Sequence, residues 1–267
     1  MSATLAGVSL RYGTGQPALH DITLRIAPGE QVALIGPSGA GKSSLLHLLA
    51  TAHAPDTGKT VVLDQDITLL RGSALQALRK QISLIQQAPP LPPRQRVITA
   101  VLAGKLGQWS TLRGLRNLVL PVDIDGARRV LQQLDIADKL FERCLQLSGG
   151  QLQRVAIARA LYQQATLVLA DEPVSAMDPV LASHTLAVLC DDARQRNATL
   201  IASLHAVDLA LTHFPRVIGL RDGRILFNKP RETVTQADLD ALYTNAQLDT
   251  RTASPAAVPI TLYIPRC

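Results

Sequence analysis

The chain has 267 residues, 47% of them hydrophobic, and a formal net charge of +6. That is apolar material for one large domain or two modest ones, which excludes extensive disorder, and no window reaches the ~18 consecutive apolar residues of a membrane span. A basic balance can signal nucleic acid, but only 3% of residues are aromatic and the basic ones are scattered, so a solvated or partner-facing surface is expected and no nucleic acid.

The first residues, Met1 to Gly15, lack a basic region followed by an apolar run, so no secretory signal is expected and the chain is placed in the cytosol. Cys144, Cys190 and Cys267 are far apart and form no C-x-x-C pair, which fits reduced thiols better than a disulfide framework or a zinc site.

Along the chain, Gln31 to Ile35, Thr166 to Ala170 and Thr199 to Leu204 are short apolar runs, each followed by a turn and a helical pattern. Such runs make buried strands, and their alternation with helices predicts an α/β fold with a largely parallel sheet. Between about Ala88 and Leu147 a proline-rich start (Pro89, Pro90, Pro92, Pro93) gives way to long helical stretches, expected as a helical insertion. The densest basic stretch, Arg113 to Arg129, falls within it. One domain is expected over 1–244. From Asn245 to Cys267 periodicity is lost and small residues and proline accumulate, which predicts a poorly ordered tail.

The first chemical motif, Gly36-Pro37-Ser38-Gly39-Ala40-Gly41-Lys42-Ser43, lies between the Gln31 to Ile35 strand and the helical pattern of Ser44 to Ala50. Glycines at that spacing let backbone N–H groups curl around phosphate oxygens at a helix N-terminus. Lys42 then reaches the β- and γ-phosphates of a nucleotide and the Ser43 hydroxyl ligates magnesium. A nucleotide hydrolase also needs carboxylates. Asp171 and Glu172 end the second strand, Asp171 placed for the magnesium sphere and Glu172 to orient or deprotonate the attacking water. His205 closes the third strand, so it falls on the same sheet edge, within reach of a γ-phosphate.

One further segment exceeds what a plain nucleotide hydrolase needs: Leu147-Ser148-Gly149-Gly150-Gln151 before a helical run from Leu152 to Tyr162. This is a second anion-binding helix start, far from the first in sequence, so the protein either binds two anions or shares one with a second copy.

From about Leu5 to Tyr243 the chain resembles the ATP-binding subunit of ABC transporters, its motifs falling in that family's order and spacing. Gly36 to Ser43 matches the Walker A loop, with Ser44 following. Gln86 matches the Q-loop, Leu147 to Gln151 the signature, Asp171 and Glu172 the Walker B end, Ser175-Ala176-Met177-Asp178 the D-loop, His205 the switch histidine and Tyr12 the aromatic that stacks on adenine. The resemblance implies catalytic roles for Glu172, His205, Lys42 and Gln86. It implies ATP contacts from Tyr12, the Gly36 to Ser44 segment, Ser148, Gly149, Gly150, Gln151 and Asp178, and magnesium at Ser43, Gln86 and Asp171. It further implies a P-loop NTPase fold with an antiparallel β part, and a head-to-tail dimer holding two ATP molecules between Walker A of one copy and the signature of the other. The implied partners are a membrane permease and, through it, a solute-binding protein, with the chain peripheral on the cytoplasmic membrane face.

Within the family, Ile82 to Gln87, Val101 to Gly104 with Leu106-Gly107, Arg159 to Gln164, and Leu204 to Asp208 with Gly219 to Gly223 resemble phosphonate importers more than others. Three features depart from the pattern. Ile85 stands where an aromatic usually precedes the Q-loop glutamine, Met177 replaces a leucine, and Ala88 to Pro93 is unusually rich in proline.

Overall fold

The computed structural model describes residues 1–244 except 14, 16, 111, 113, 115 and 117–121; the expected tail, 245–267, lies outside the described residues, as does part of the basic stretch.

Two antiparallel strands, β1 (Ala3–Arg11) and β2 (Pro17–Ile26), open the chain, followed by β3 (Gln31–Ile35) and helix α1 (Lys42–Leu49). Strands β4 (Thr57–Val62) and β5 (Gln65–Asp66), helix α2 (Gly72–Arg79) and strand β6 (Ile82–Ile85) come next. The region from Ala88 to Leu147 contains α3 (Val97–Leu102) and α4 (Ile124–Gln132), and α5 (Gly149–Gln163) leads into β7 (Leu167–Asp171). The rest is α6 (Pro179–Gln195), β8 (Thr199–Ser203), α7 (Val207–His213), a hairpin of β9 (Arg216–Arg221) and β10 (Arg224–Pro230), and α8 (Gln236–Tyr243).

The strands form two sheets, one four-stranded in the order β2-β1-β4-β5 and fully antiparallel, the other six-stranded in the order β10-β9-β3-β8-β7-β6. In the larger sheet β6, β7, β8, β3 and β9 run parallel and only β10 is reversed. Every residue of β3, β7 and β8 is buried, as expected of parallel strands covered on both faces. The side chains divide by period two. Ala33, Ile35, Val168, Ala170, Leu200 and Ala202 enter the core beneath the helical layer. Val32, Leu34, Leu167, Leu169 and Ile201 enter a second core shared with α1 and the antiparallel sheet. The strands of that smaller sheet alternate buried and exposed positions, one face meeting solvent.

Two helices important to the site have strong local starts. Ser148 caps α5, its hydroxyl accepting the Gln151 amide at 3.3 Å while the Gln151 side chain accepts the Ser148 amide at 2.9 Å. Asp178 caps α6 by accepting the Leu181 amide at 3.0 Å, with Pro179 in the first turn.

The described elements between Ala88 and Leu147 include α3, α4 and short 3₁₀ turns at Ala103–Lys105, Ala137–Lys139 and Cys144–Gln146, and Leu112, Gly114 and Arg116 are also helical. The four prolines lack the amide that a helix interior needs, and Gly104 lies so close to α5 that a Cβ on it would sit 2.4 Å from the Arg159 carbonyl oxygen.

Candidate functional site

Parallel strands align their carboxyl ends, so the residues that follow them meet at one edge. Register fixes which ones. Leu34 of β3 and Asp171 of β7 both pair with Ser203 of β8, and Ile85 of β6 pairs with Ala170. Gly36, Asp171, Glu172 and His205 therefore converge without any special loop. Ala18, Ser38 to Ser44, Gln87, Glu172 and His205 line a cavity of about 300 Å³ there.

The turn after β3 needs glycine. Gly36 has φ +148°, and a Cβ on it would lie 2.0 Å from the Leu220 carbonyl oxygen. Lys42 is 5% exposed and folds back over this turn, donating to the Gly36 and Pro37 carbonyls at 2.6 and 3.0 Å. Burial pushes its ammonium below the ordinary value, while the Glu172 and Asp171 carboxylates push it back up. A phosphate in the cavity adds further charge that favours the ammonium.

Asp171, buried, accepts from Ser43 Oγ at 3.0 Å and from Ser203 Oγ at 2.7 Å on the same Oδ1. Ser203 also accepts the Glu172 amide at 2.9 Å. That amide needs holding, because Glu172 has φ +48°, a left-handed conformation costly for a side chain with Cβ. The Glu172 carboxylate is taken on both oxygens: Oε1 lies 2.5 Å from His205 Nε2, and Oε2 accepts from Gln87 Nε2 at 2.6 Å.

Gln87, not Gln86, is thus the glutamine of this cavity. Successive side chains after β6 point opposite ways, and Gln86 lines a separate cavity of about 580 Å³ with Arg79, Pro89, Pro90 and Arg159.

Tyr12 is 45% exposed and its ring stands edge-on to His53, with centroids 5.1 Å apart; it is not among the residues that line the phosphate cavity. Ser148, Gly149, Gln151 and Asp178 likewise lie outside that cavity, and Gly150 packs against the Ala176 carbonyl, which a Cβ would approach to 2.7 Å. One chain alone does not bring its second helix start to its own phosphate loop.

The ABC transporter family profile matches residues 19–175. A phosphonates import ATP-binding protein of Pseudomonas aeruginosa is 61% identical over 267 residues, covering 100% of both chains. The chain belongs to the ABC transporter family. A phosphonates import ATP-binding protein of Pseudomonas putida is 60% identical over 264 residues, 98% of this chain and 97% of that one. Among solved structures, a dimeric ATP-binding cassette in a post-hydrolysis state with ADP and Pi bound matches with TM-score 0.73 and 26% identity, covering 86% of this chain and 98% of that one.

This ABC ATPase binds ATP, and its strand ends present the groups that chemistry needs. The oxygens of Ser43, which lines the phosphate cavity, and of Asp171 meet at 3.0 Å, a hydroxyl and a carboxylate side by side. That donor set suits magnesium, which takes one or two protein oxygens and fills its remaining positions with phosphate oxygens and water. Ser203 was not anticipated from the sequence. Its signal was its position at the end of the strand before His205, in register with Asp171.

Proposed function

We propose that this chain hydrolyses ATP to drive phosphonate import through a separate membrane permease, working as a homodimer on the cytoplasmic face of the membrane and receiving solute from a solute-binding protein. The observation that carries the solute is the end-to-end 61% identity with a protein named for phosphonates import. No helix among the described residues is long and apolar enough to cross a membrane, which is compatible with a permease on another chain.

In this reading the amides of the Gly36 to Ser44 segment and the Lys42 ammonium hold the β- and γ-phosphates, and Tyr12 turns from His53 to stack on adenine. Magnesium, held by Ser43 and Asp171, neutralises phosphate charge. Glu172 orients and deprotonates the attacking water, and Gln87 and His205 hold its carboxylate in place. Ser148, Gly149, Gly150, Gln151 and Asp178 serve the ATP of the second copy, which explains why they lie away from their own chain's cavity. We place the permease contact on the 580 Å³ cavity, where Arg159, Pro89 and Pro90 adjoin Gln86 immediately before the Gln87 loop.

The test is uptake of a radiolabelled alkylphosphonate by a host whose own phosphonate-import ATPase is deleted, while its permease and solute-binding protein remain. The chain should restore uptake and Lys42→Ala should not. Restoration of ATPase activity in the membranes without phosphonate uptake would assign the chain to another solute.

A further inference from the structure

Gln153 lies one turn into α5, just after the Ser148-Gly149-Gly150 start, and is 3% exposed. Its amide is engaged at both ends. Nε2 donates to the Gln87 carbonyl at 3.2 Å and to Ser175 Oγ at 3.0 Å, and Oε1 accepts the Ala176 amide at 3.0 Å. These contacts reach the backbone of the residue whose side chain bonds Glu172, and the turn that leads away from Glu172. That turn closes locally, the Ser175 amide donating to the Glu172 carbonyl at 3.3 Å and the Met177 amide to the Val174 carbonyl at 3.2 Å. A carboxamide offers two N–H donors and an acceptor, and here all three functions are used. Glutamate has the same length but no donor, and leucine has neither function.

We infer that Gln153 is a positioning residue for hydrolysis: it clamps the Gln87 loop to the Ser175–Ala176 turn and so fixes the distance between the Gln87 amide and the Glu172 carboxylate. Both segments lack regular structure where Gln153 meets them, so no strand register holds them together. The clamp stands on the helix whose first turn carries Ser148 and Gly150, with Gly150 packed on Ala176. A shift of that helix start therefore moves the Gln87 carbonyl and the Ala176 amide together. The inference rests on the proposed roles of Gln87 and Glu172 in hydrolysis.

Steady-state ATPase kinetics of the full chain with Gln153→Glu test it, beside thermal unfolding and binding of a fluorescent ATP analogue. The expected result is a kcat lowered roughly ten- to hundredfold, as for a misplaced catalytic group, with the KM for ATP held near wild type and a lowered unfolding temperature, because a buried carboxylate replaces the amide. Ser175→Ala, which removes one hydrogen bond at an exposed hydroxyl, should lower kcat less, and the double variant should fall short of the sum of the two effects. If Gln153→Glu does not fold, Ser175→Ala decides alone through its kcat. An unchanged kcat, or a weakened KM that accounts for the lost turnover, would overturn the clamp and leave Gln153 a packing residue. A wild-type chain without magnesium-dependent turnover would instead strike at the hydrolytic reading itself.

Discussion

Gln87 Nε2 and Glu172 Oε2 are hydrogen-bonded at 2.6 Å, across an interval of 85 residues. Because His205 occupies the other carboxylate oxygen, Glu172 has little rotational freedom. Gln87→Ala should lower kcat about tenfold by freeing that carboxylate. Gln86→Ala, which alters only the neighbouring cavity, should leave turnover of the isolated chain near wild type. Steady-state ATPase assays of the two variants distinguish them, and the reverse pattern would return the role to Gln86.

The one-residue difference shows where sequence reading stopped. The buried strands Gln31–Ile35, Leu167–Asp171 and Thr199–Ser203 were legible because their apolar runs are continuous and end at Gly36, Glu172 and His205. Gln86 and Gln87 are chemically identical neighbours without an aromatic before them, and only the placement after β6 separates them. Gln153 was not legible as a site residue, since a glutamine in a helix carries no spacing signal, and Ser203 had only its place at the end of the strand before His205. Their importance comes from tertiary partners on segments far away in sequence.

Ser203 is fully buried and serves both Walker B carboxylate residues, donating to Asp171 and accepting the Glu172 amide. Ser203→Ala removes one of two bonds at each group, since Asp171 keeps the Ser43 hydroxyl and the Glu172 amide keeps the Ser203 carbonyl at 3.2 Å, which costs roughly 0.5–1.5 kcal/mol. Denaturant unfolding should show that loss. The magnesium concentration needed for half-maximal ATPase activity should rise as Asp171 loses its orientation.

Asp238 offers a pH test remote from the cavity. The Lys229 ammonium, at 2.7 and 2.8 Å, and the Thr235 amide and hydroxyl hold its carboxyl down to about 2, below the ordinary 3.8. A lowered carboxyl pKa stabilises the fold above the unfolded value and loses that contribution as pH falls through the folded one. The difference in unfolding temperature between wild type and Asp238→Asn should thus be constant from pH ~7 to ~5 and shrink below pH ~4. A difference that grows on acidification would contradict the assignment.

Glu172→Gln keeps the side chain's length and removes its capacity to take a proton. ATP should still bind while hydrolysis slows roughly a hundredfold, so a nucleotide-held dimer should accumulate and be visible by size-exclusion chromatography with ATP and magnesium. Unchanged turnover would remove Glu172 from the catalytic role.

The central claim is that each ATP is shared between the phosphate loop of one chain and the Ser148 to Gln151 helix start of another. It is tested most directly by magnesium-dependent ATP hydrolysis as a function of protein concentration, with Lys42→Ala as the control. Specific activity should rise with concentration and vanish in the variant. Activity that stays constant on dilution to where a dimer dissociates would mean a self-contained site, and the shared arrangement would be wrong.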